Sequence, residues 1–469
     1  MASHRSDTGQ TRRRNPAVIS IGRRLPRTVS PARLMSWFHS LWMAWVCVLA
    51  LPAQAQVLTG IDVLESEKFA TLRGKRVGLF SNPTGINRRG EPTWKVLRGA
   101  PGVKLVALFG AEHGFDGRAR AGVEVRDSVH GPTGLPIYSL YGPGPVRRPT
   151  ARMLQDIDVL VYDFQDTGCR SYTYISSLGL AMEACASNGV AVVVLDRPNP
   201  LGGQRVEGPG LDPRFKSFVG HWPMPYVYGL TPGELARMIQ GEGWIRGRCA
   251  LTVVPLRGWS RTMTWNDTKL TWIPSSPNVP RGDTPLYLVA TGVLGEIGGL
   301  NLGTGTPHSF RIIGAPWIDP PRFSRQLNSY KLPGIAFEPL VFDFNRSPAD
   351  GAEFRGVRLR FTHPTTAPLA AVNFYALEAI RKTTGQDLFK RAMLRGKSWD
   401  MFDKVTGSEK TRKALQSGRS AREIVDSWKS SEAAFRKLRR PYLLYAEPQP
   451  PKPALSPKPK PKSNPPTRP

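Results

Sequence analysis

Apolar residues in this chain fall into short, nearly unbroken runs separated by stretches of mixed character. Arg76–Ser81, Lys104–Gly110, Ile157–Asp163 and Val190–Asp196 are dense in Val, Leu, Ile and Phe. Runs this short, without polar alternation, predict strands buried on both faces of a parallel sheet. Between the last two, Ser176–Asn188 predicts a helix that stops at Gly189. Strands alternating with helices predict an α/β, doubly wound, Rossmann-like domain. Thr231-Pro232-Gly233-Glu234 predicts a helix start: Thr231 caps, Pro232 fits the first turn, and Glu234 completes a capping box. That helix should end near Gly241, with a strand over Leu251–Pro255.

From about Pro285 the texture changes to Gly-rich loops. Val357–Thr362 then predicts a strand and Leu369–Lys382 a helix. Ala421–Leu438 predicts one amphipathic helix with Ile424, Trp428 and Phe435 facing inward. We place a boundary near 285. Residues 56–284 form the Rossmann-like domain and 285–447 a smaller α+β domain. The 469 residues allow two or three domains at roughly 100–200 residues each, and no internal repeat is visible.

Charge changes the picture once it is sorted by region. The formal net charge is +29, which suggests nucleic acid, an anionic surface or an anionic polymer as partner. Residues 1–34 contribute +7 and residues 448–469 contribute +5, leaving +17 for residues 56–447. The start reads as a targeting segment: basic to Arg33, apolar from Leu41 to Leu51, then Ala53-Gln54-Ala55. The apolar stretch is short of the roughly 20 residues a membrane span needs. We expect a cleaved export signal over 1–55, a periplasmic or secreted product, and no integral span in the mature chain. Met35 is an alternative start. Cys47 lacks the small residue before it that a lipoprotein anchor requires. The tail, 448–469, has ten Pro interleaved with Lys and predicts an extended, disordered end.

Removing the signal leaves Cys169, Cys185 and Cys249, an odd number with no CxxC pair and no His cluster. A disulfide framework and a zinc site are both unsupported, so buried thiols are expected. No metal and no cofactor are expected.

Ligands of open parallel sheets bind beyond the carboxyl ends of the strands. Polar clusters recur there: Asn82 and Thr84, then Glu112 and His113, then Asp163, Gln165, Asp166 and Arg170, then Asp196, Arg197 and Asn199. Folding needs only turn residues at such places. The same segments resemble a known family: GLFSNPTG at 78–85, LFGAEHGFDG at 108–117, GLPIYSLYG at 134–142 and DFQDTGCRSYTYISSL at 163–178. LDRPNPLGG at 195–203, GLTPGELA at 229–236, SPNVP at 276–280 and GAPWID at 314–319 continue it. By these segments the chain resembles the exo-β-N-acetylmuramidases, glycoside hydrolase family 171, formerly domain of unknown function 1343, over roughly 56–446. The resemblance implies two domains with a cleft between them. It also implies removal of a terminal N-acetylmuramic acid from the non-reducing end of peptidoglycan fragments.

Glycoside hydrolysis needs an acid for the departing oxygen and a second group to support the developing cation or to activate water. Glu112 is the expected general acid, lying beside apolar Phe109 and Phe115; the competing reading has it cap a helix. Asp163 and Asp166 are both candidates for the second carboxylate, as base or as the group that orients a substrate acetamide for attack on the anomeric carbon; the competing reading makes Asp163 a structural strand-end residue. His113 either orients Glu112, binds sugar, or is structural. Arg170 and Arg197 fit a lactyl carboxylate bidentately, or pair internally with Asp166 or Asp196. Tyr172 and Tyr174 suit sugar stacking or the core. Asn82, Asn199 and Asn278 are candidate hydroxyl binders. Glu296, placed in a Gly-rich loop, could face the cleft.

Four positions depart from the family pattern: Thr304 replaces an Arg, Tyr228 a His and Ala111 a Pro, and Asn301 stands where Ser is usual. These departures keep two further readings open. One is a non-catalytic peptidoglycan-binding protein; the other is a hydrolase of the same fold acting on another amino sugar. A nicotinamide enzyme is disfavoured, since no GxGxxG follows the first strand. Nucleic-acid binding lacks any zinc-finger or RNP-like motif. The oligomeric state has no signal in the sequence.

Overall fold

The computed structural model describes residues 56–144, 147–342, 354–394 and 399–447. The predicted export segment, 1–55, and the Pro/Lys tail, 448–469, lie outside the described residues. Seven strands form the first sheet: β1 Arg76–Ser81, β2 Lys104–Gly110, β3 Ser128–Val129, β4 Pro136–Ser139, β5 Val159–Asp163, β6 Ala191–Leu195 and β7 Leu251–Val254. Their order is β3-β4-β2-β1-β5-β6-β7, parallel except for the edge pair β3-β4. All four apolar runs of the sequence are strands, and Leu251–Pro255 is β7. Strand β1 sits centrally, with Val77, Leu79 and Phe80 at 0% exposure.

Both faces are covered, as continuous apolar strands require. On one face, α1 (Gly60–Ser66) and α2 (Thr93–Gly99) set Ile61, Leu64 and Leu97 against Val77, Leu79 and Leu105. A Cβ on Gly60 would lie 2.4 Å from the Asp196 nitrogen, so only glycine lets α1 abut that strand end. On the other face, α3 (Tyr174–Ser187) and α4 (Pro232–Gly241) set Leu178, Met182, Leu235 and Ile239 against Phe80, Phe109 and Val192. The capping box of α4 is present: Glu234 N donates to Thr231 Oγ1 at 3.2 Å, and Thr231 N to Glu234 Oε2 at 3.1 Å.

The second region holds α5 (Thr284–Ile297), β8 (Ile312–Ala315), α6 (Pro320–Ser329), β9 (Ile335–Phe342), β10 (Phe354–Phe361) and α7 (Leu369–Thr384). Its three strands pair antiparallel in the order β8-β10-β9. The stretch after Pro285 is therefore a helix, not the loops expected. Val289, Val293, Leu294 and Ile297 are buried, and that burial outweighs the roughly 1 kcal/mol per glycine that Gly292 and Gly295 cost. Gly298, at φ +78°, ends it.

Ala421–Leu438 is two helices, α8 (Ala421–Asp426) and α9 (Lys429–Leu438), rather than one. Ile424, Trp428 and Phe435 are all buried as expected. They serve different cores: Ile424 and Trp428 pack with the second region, and Phe435 with the first sheet. The break between the helices matches that division.

The regions are joined through packing, since Cys169, Leu201, Tyr226 and Val227 belong to the second region's core. A cavity of about 460 Å³ remains between the 209–212 loop and residues 408–431. After α9 the chain returns to the first sheet. Arg439 donates to the Tyr228 and Gly229 carbonyls, Leu444 N to Glu234 Oε1, and the Tyr445 hydroxyl to Asp196 Oδ2 at 2.6 Å. Cys169, Cys185 and Cys249 are free and buried. Among the described residues, no helix is long and apolar enough to cross a membrane.

Candidate active site

Because the strands run parallel, their carboxyl ends share one edge. The route across the sheet reverses between β1 and β5, with β2 on one side of β1 and β5 on the other. Such a reversal opens a crevice for ligand.

Glu112 follows β2 in a run of turns over 112–117, so it caps no helix. It is half-buried. Its Oε2 accepts from the Thr173 hydroxyl at 2.6 Å and its Oε1 from Gly122 N at 2.9 Å. Burial, and then the Glu112 charge, push the Tyr141 phenol upward. His113 has φ +72°, a conformation costing a non-glycine residue about 1–3 kcal/mol. Its Nδ1 lies 2.8 Å from the Ala119 carbonyl. The ring holds the loop rather than orienting Glu112.

At the end of β5, the two candidate carboxylates part. Asp163 is fully buried; it accepts from Arg197 Nε at 2.5 Å, Arg197 Nη2 at 3.0 Å and Thr93 Oγ1 at 2.5 Å. Both oxygens are engaged within the fold, which reads as a structural anchor for Arg197 rather than a catalytic group. Arg197 pairs with Asp163 and not with Asp196. Its Nη2 also donates to the Ile86 carbonyl, which leaves Nη1 uncommitted among the described residues.

Asp166 is equally buried, yet only Oδ1 is bonded, to Gly168 N and the Tyr228 hydroxyl, each at 2.8 Å. Among the described residues Oδ2 has no partner, and burial pushes this carboxyl up to about 7. Gln165 Oε1 and Thr167 Oγ1 are likewise buried without a partner. Three consecutive residues with orphaned polar atoms mark a place where water or ligand completes the bonding.

Several expected binders prove structural. Arg170 is fully buried and donates to the carbonyls of Pro209, Met224 and Val405. It meets no carboxylate and is closed to a lactyl group; burial lowers it to about 10. Asn199 is consumed by Leu230 O and Leu201 N, both at 2.9 Å. Tyr174 is buried, accepting from Asn82 Nδ2 at 2.9 Å and donating to Ser275 O at 2.5 Å, so it is core and not a stacking platform. Asn82 also receives Thr84 N and Oγ1 on its Oδ1. Tyr172 is half-buried and donates to Ser275 Oγ at 2.9 Å. Asn278 accepts from Gly305 N at 3.0 Å, tying two loops. Glu296 sits in the last turn of α5 rather than in a loop, and its charge reaches Tyr226.

A cavity of about 440 Å³ opens beside the Glu112 loop, lined by Asn82, Trp94, Phe115, Arg118, Arg126 and His130 among others. The Trp94 and Phe115 rings meet His130 edge-on at 4.7 and 5.6 Å. Aromatic walls with charged groups at the rim suit a sugar ring and its hydroxyls. Among the described residues, no group of three His, Cys, Asp or Glu is placed to hold a metal.

Family models for the exo-β-N-acetylmuramidase NamZ match residues 77–283, as its N-terminal part, and 287–445, as its C-terminal part. The chain belongs to the NamZ exo-β-N-acetylmuramidase family. It is 38% identical over 390 residues to the peptidoglycan β-N-acetylmuramidase NamZ of Bacillus subtilis (strain 168), covering 83% of this chain and 92% of that protein. Two solved DUF1343 family proteins from Bacteroides fragilis NCTC 9343 share its fold. One has a TM-score of 0.76 at 40% identity, covering 83% of this chain and 99% of its own. The other has 0.66 at 28%, covering 84% and 100%.

For this NamZ-family chain the sequence missed the groups that hold the candidates. Thr173 was one position inside a motif read for its tyrosines, and Tyr141 and Ser275 carried no chemical signal of their own. Tyr228, noted only as a departure, is the donor to Asp166. Thr304 lies exposed in the loop that Asn278 ties down.

Proposed function

We propose that this protein is an exo-acting glycoside hydrolase that releases non-reducing terminal N-acetylmuramic acid from peptidoglycan fragments during wall turnover. We further propose that it acts in the periplasm or outside the cell, after loss of residues 1–55. The observation that carries the catalytic reading is Glu112. It is a carboxyl at the end of β2, oriented by the Thr173 hydroxyl and Gly122 N, in a loop that borders the aromatic cavity. In this reading Glu112 gives its proton to the glycosidic oxygen as the C1–O bond breaks. Asp166, rather than Asp163, is the second carboxylate, because its buried Oδ2 is unpaired among the described residues and its proton affinity suits transfer near neutral pH. A water adds at C1 and its proton passes to the carboxylate. The body charge of +17 favours an anionic wall polymer.

The test is release of the chromophore from a chromogenic N-acetylmuramide, with the glucosamine and glucose versions alongside. The muramide should be cleaved best. Glu112→Gln should reduce the rate by about 10²–10⁴-fold; unchanged turnover in that variant overturns the assignment.

A further inference from the structure

A separate cavity of about 210 Å³ opens over the carboxyl ends of β1, β5 and β6, at the reversal of the sheet. Its lining includes Arg88, Arg89, Arg197 and Gln165, with Trp265 and Leu270 as an apolar side. Glu112 is not part of it.

Gln165 is only 3% exposed. Its Nε2 donates to the carbonyls of Asp166 at 2.9 Å and Pro198 at 2.8 Å. Carbonyls only accept, so the amide cannot be turned round, and Oε1 is fixed as an acceptor. That oxygen has no partner among the described residues. Arg197, 4% exposed, is clamped by Asp163 and the Ile86 carbonyl, which holds in place an Nη1 that has no acceptor among the described residues. Arg89 is neutralised by Glu65 and Glu91. Arg88 is exposed, its backbone N is held by Asp62 at 2.8 Å, and its side chain has no ion pair among the described residues. The cavity therefore combines one immobile acceptor, surplus cationic donors and an apolar side.

We propose that this cavity binds a small carboxylate that carries a neighbouring amide N–H. The carboxylate meets Arg88 and Arg197 Nη1, the N–H completes Gln165 Oε1, and the short aliphatic part lies against Trp265 and Leu270. Two sources share this chemistry: an N-acyl amino acid, as at a peptide's carboxyl end, and N-acetylmuramic acid through its acid arm and acetamide. N-acetyl-L-alanine is not the product of the proposed hydrolysis, so its binding does not depend on Glu112; N-acetylmuramic acid is that product, and its binding counts for this cavity only as far as Arg88→Ala weakens it.

Calorimetric titration of the full chain with N-acetyl-L-alanine, N-acetylmuramic acid and N-acetyl-L-alaninamide tests it. At least one acid should bind, and the uncharged amide should bind about tenfold more weakly or not at all. Whichever acid binds more tightly identifies the source. Arg88→Ala, at an exposed position, should weaken acid binding by about tenfold, and rising salt should weaken it further. Gln165→Met, checked for an unchanged melting temperature, should weaken both acids. Equal affinity for acid and amide, no acid binding, or no effect of Arg88→Ala overturns the proposal.

Discussion

The ends of β5 and β6 carry carboxylates that look alike by burial and differ in company. Asp166 and Asp196 are both buried, and burial raises each to about 7. Asp196 is saturated: Arg197 N and Gly233 N reach Oδ1, while the Thr231 and Tyr445 hydroxyls reach Oδ2. Asp166 has the same depth and an oxygen left over. A raised carboxyl therefore does not by itself mark chemistry. An incomplete set of partners points further where it recurs in neighbouring residues, as at Gln165, Asp166 and Thr167, because folding alone gains nothing from leaving a buried acceptor unpaired.

Three substitutions probe this contrast, the first expected to act most strongly. Asp166→Asn keeps the shape and the Gly168 and Tyr228 contacts on its carbonyl oxygen. Hydrolysis of the chromogenic muramide should fall by about 10²–10⁴-fold, while urea unfolding moves by less than about 1 kcal/mol. If activity survives, the orphaned oxygen is not catalytic. Asp163→Ala should instead destabilise the fold by about 3–5 kcal/mol, since it strands the buried Arg197 charge. A urea midpoint near that of the wild type would show that the pair is not an anchor.

The smallest effect concerns pH. In the folded chain the Asp196 proton is held up to about 7, whereas an unfolded Asp releases it near 3.9. Between those values the folded state binds more protons. The contribution is complete below about pH 4 and is lost as pH rises through about 7. Melting temperatures followed from pH 4 to 8 should therefore fall less steeply in Asp196→Asn than in the wild type; parallel curves would contradict the shift.

Much of the first sheet was legible because its strands are apolar on both sides, and a continuous run at β1 or β5 admits few other readings. Strands β3 and β4 were not, being short, the one exposed and the other half-exposed, and placed at an edge by their neighbours. Helix α5 was hidden by its glycines. In the candidate site, what was legible is the placement of Glu112 just after a strand. Arg170 was misread because a guanidinium that holds three carbonyls has the same letter as one that holds a substrate. Asp163 and Asp166 could not be ranked, since the choice depends on Arg197 and Tyr228 arriving from elsewhere in the chain.

The return of residues 439–447 to the first sheet also bears on how the molecule is made. Tyr445 completes Asp196 across 249 positions of chain. At roughly 5–20 residues per second, synthesis takes about 12–50 s to cover that interval. Until that segment exists the end of β6 has an open acceptor, so the sheet domain is completed only by the last described residues of the chain.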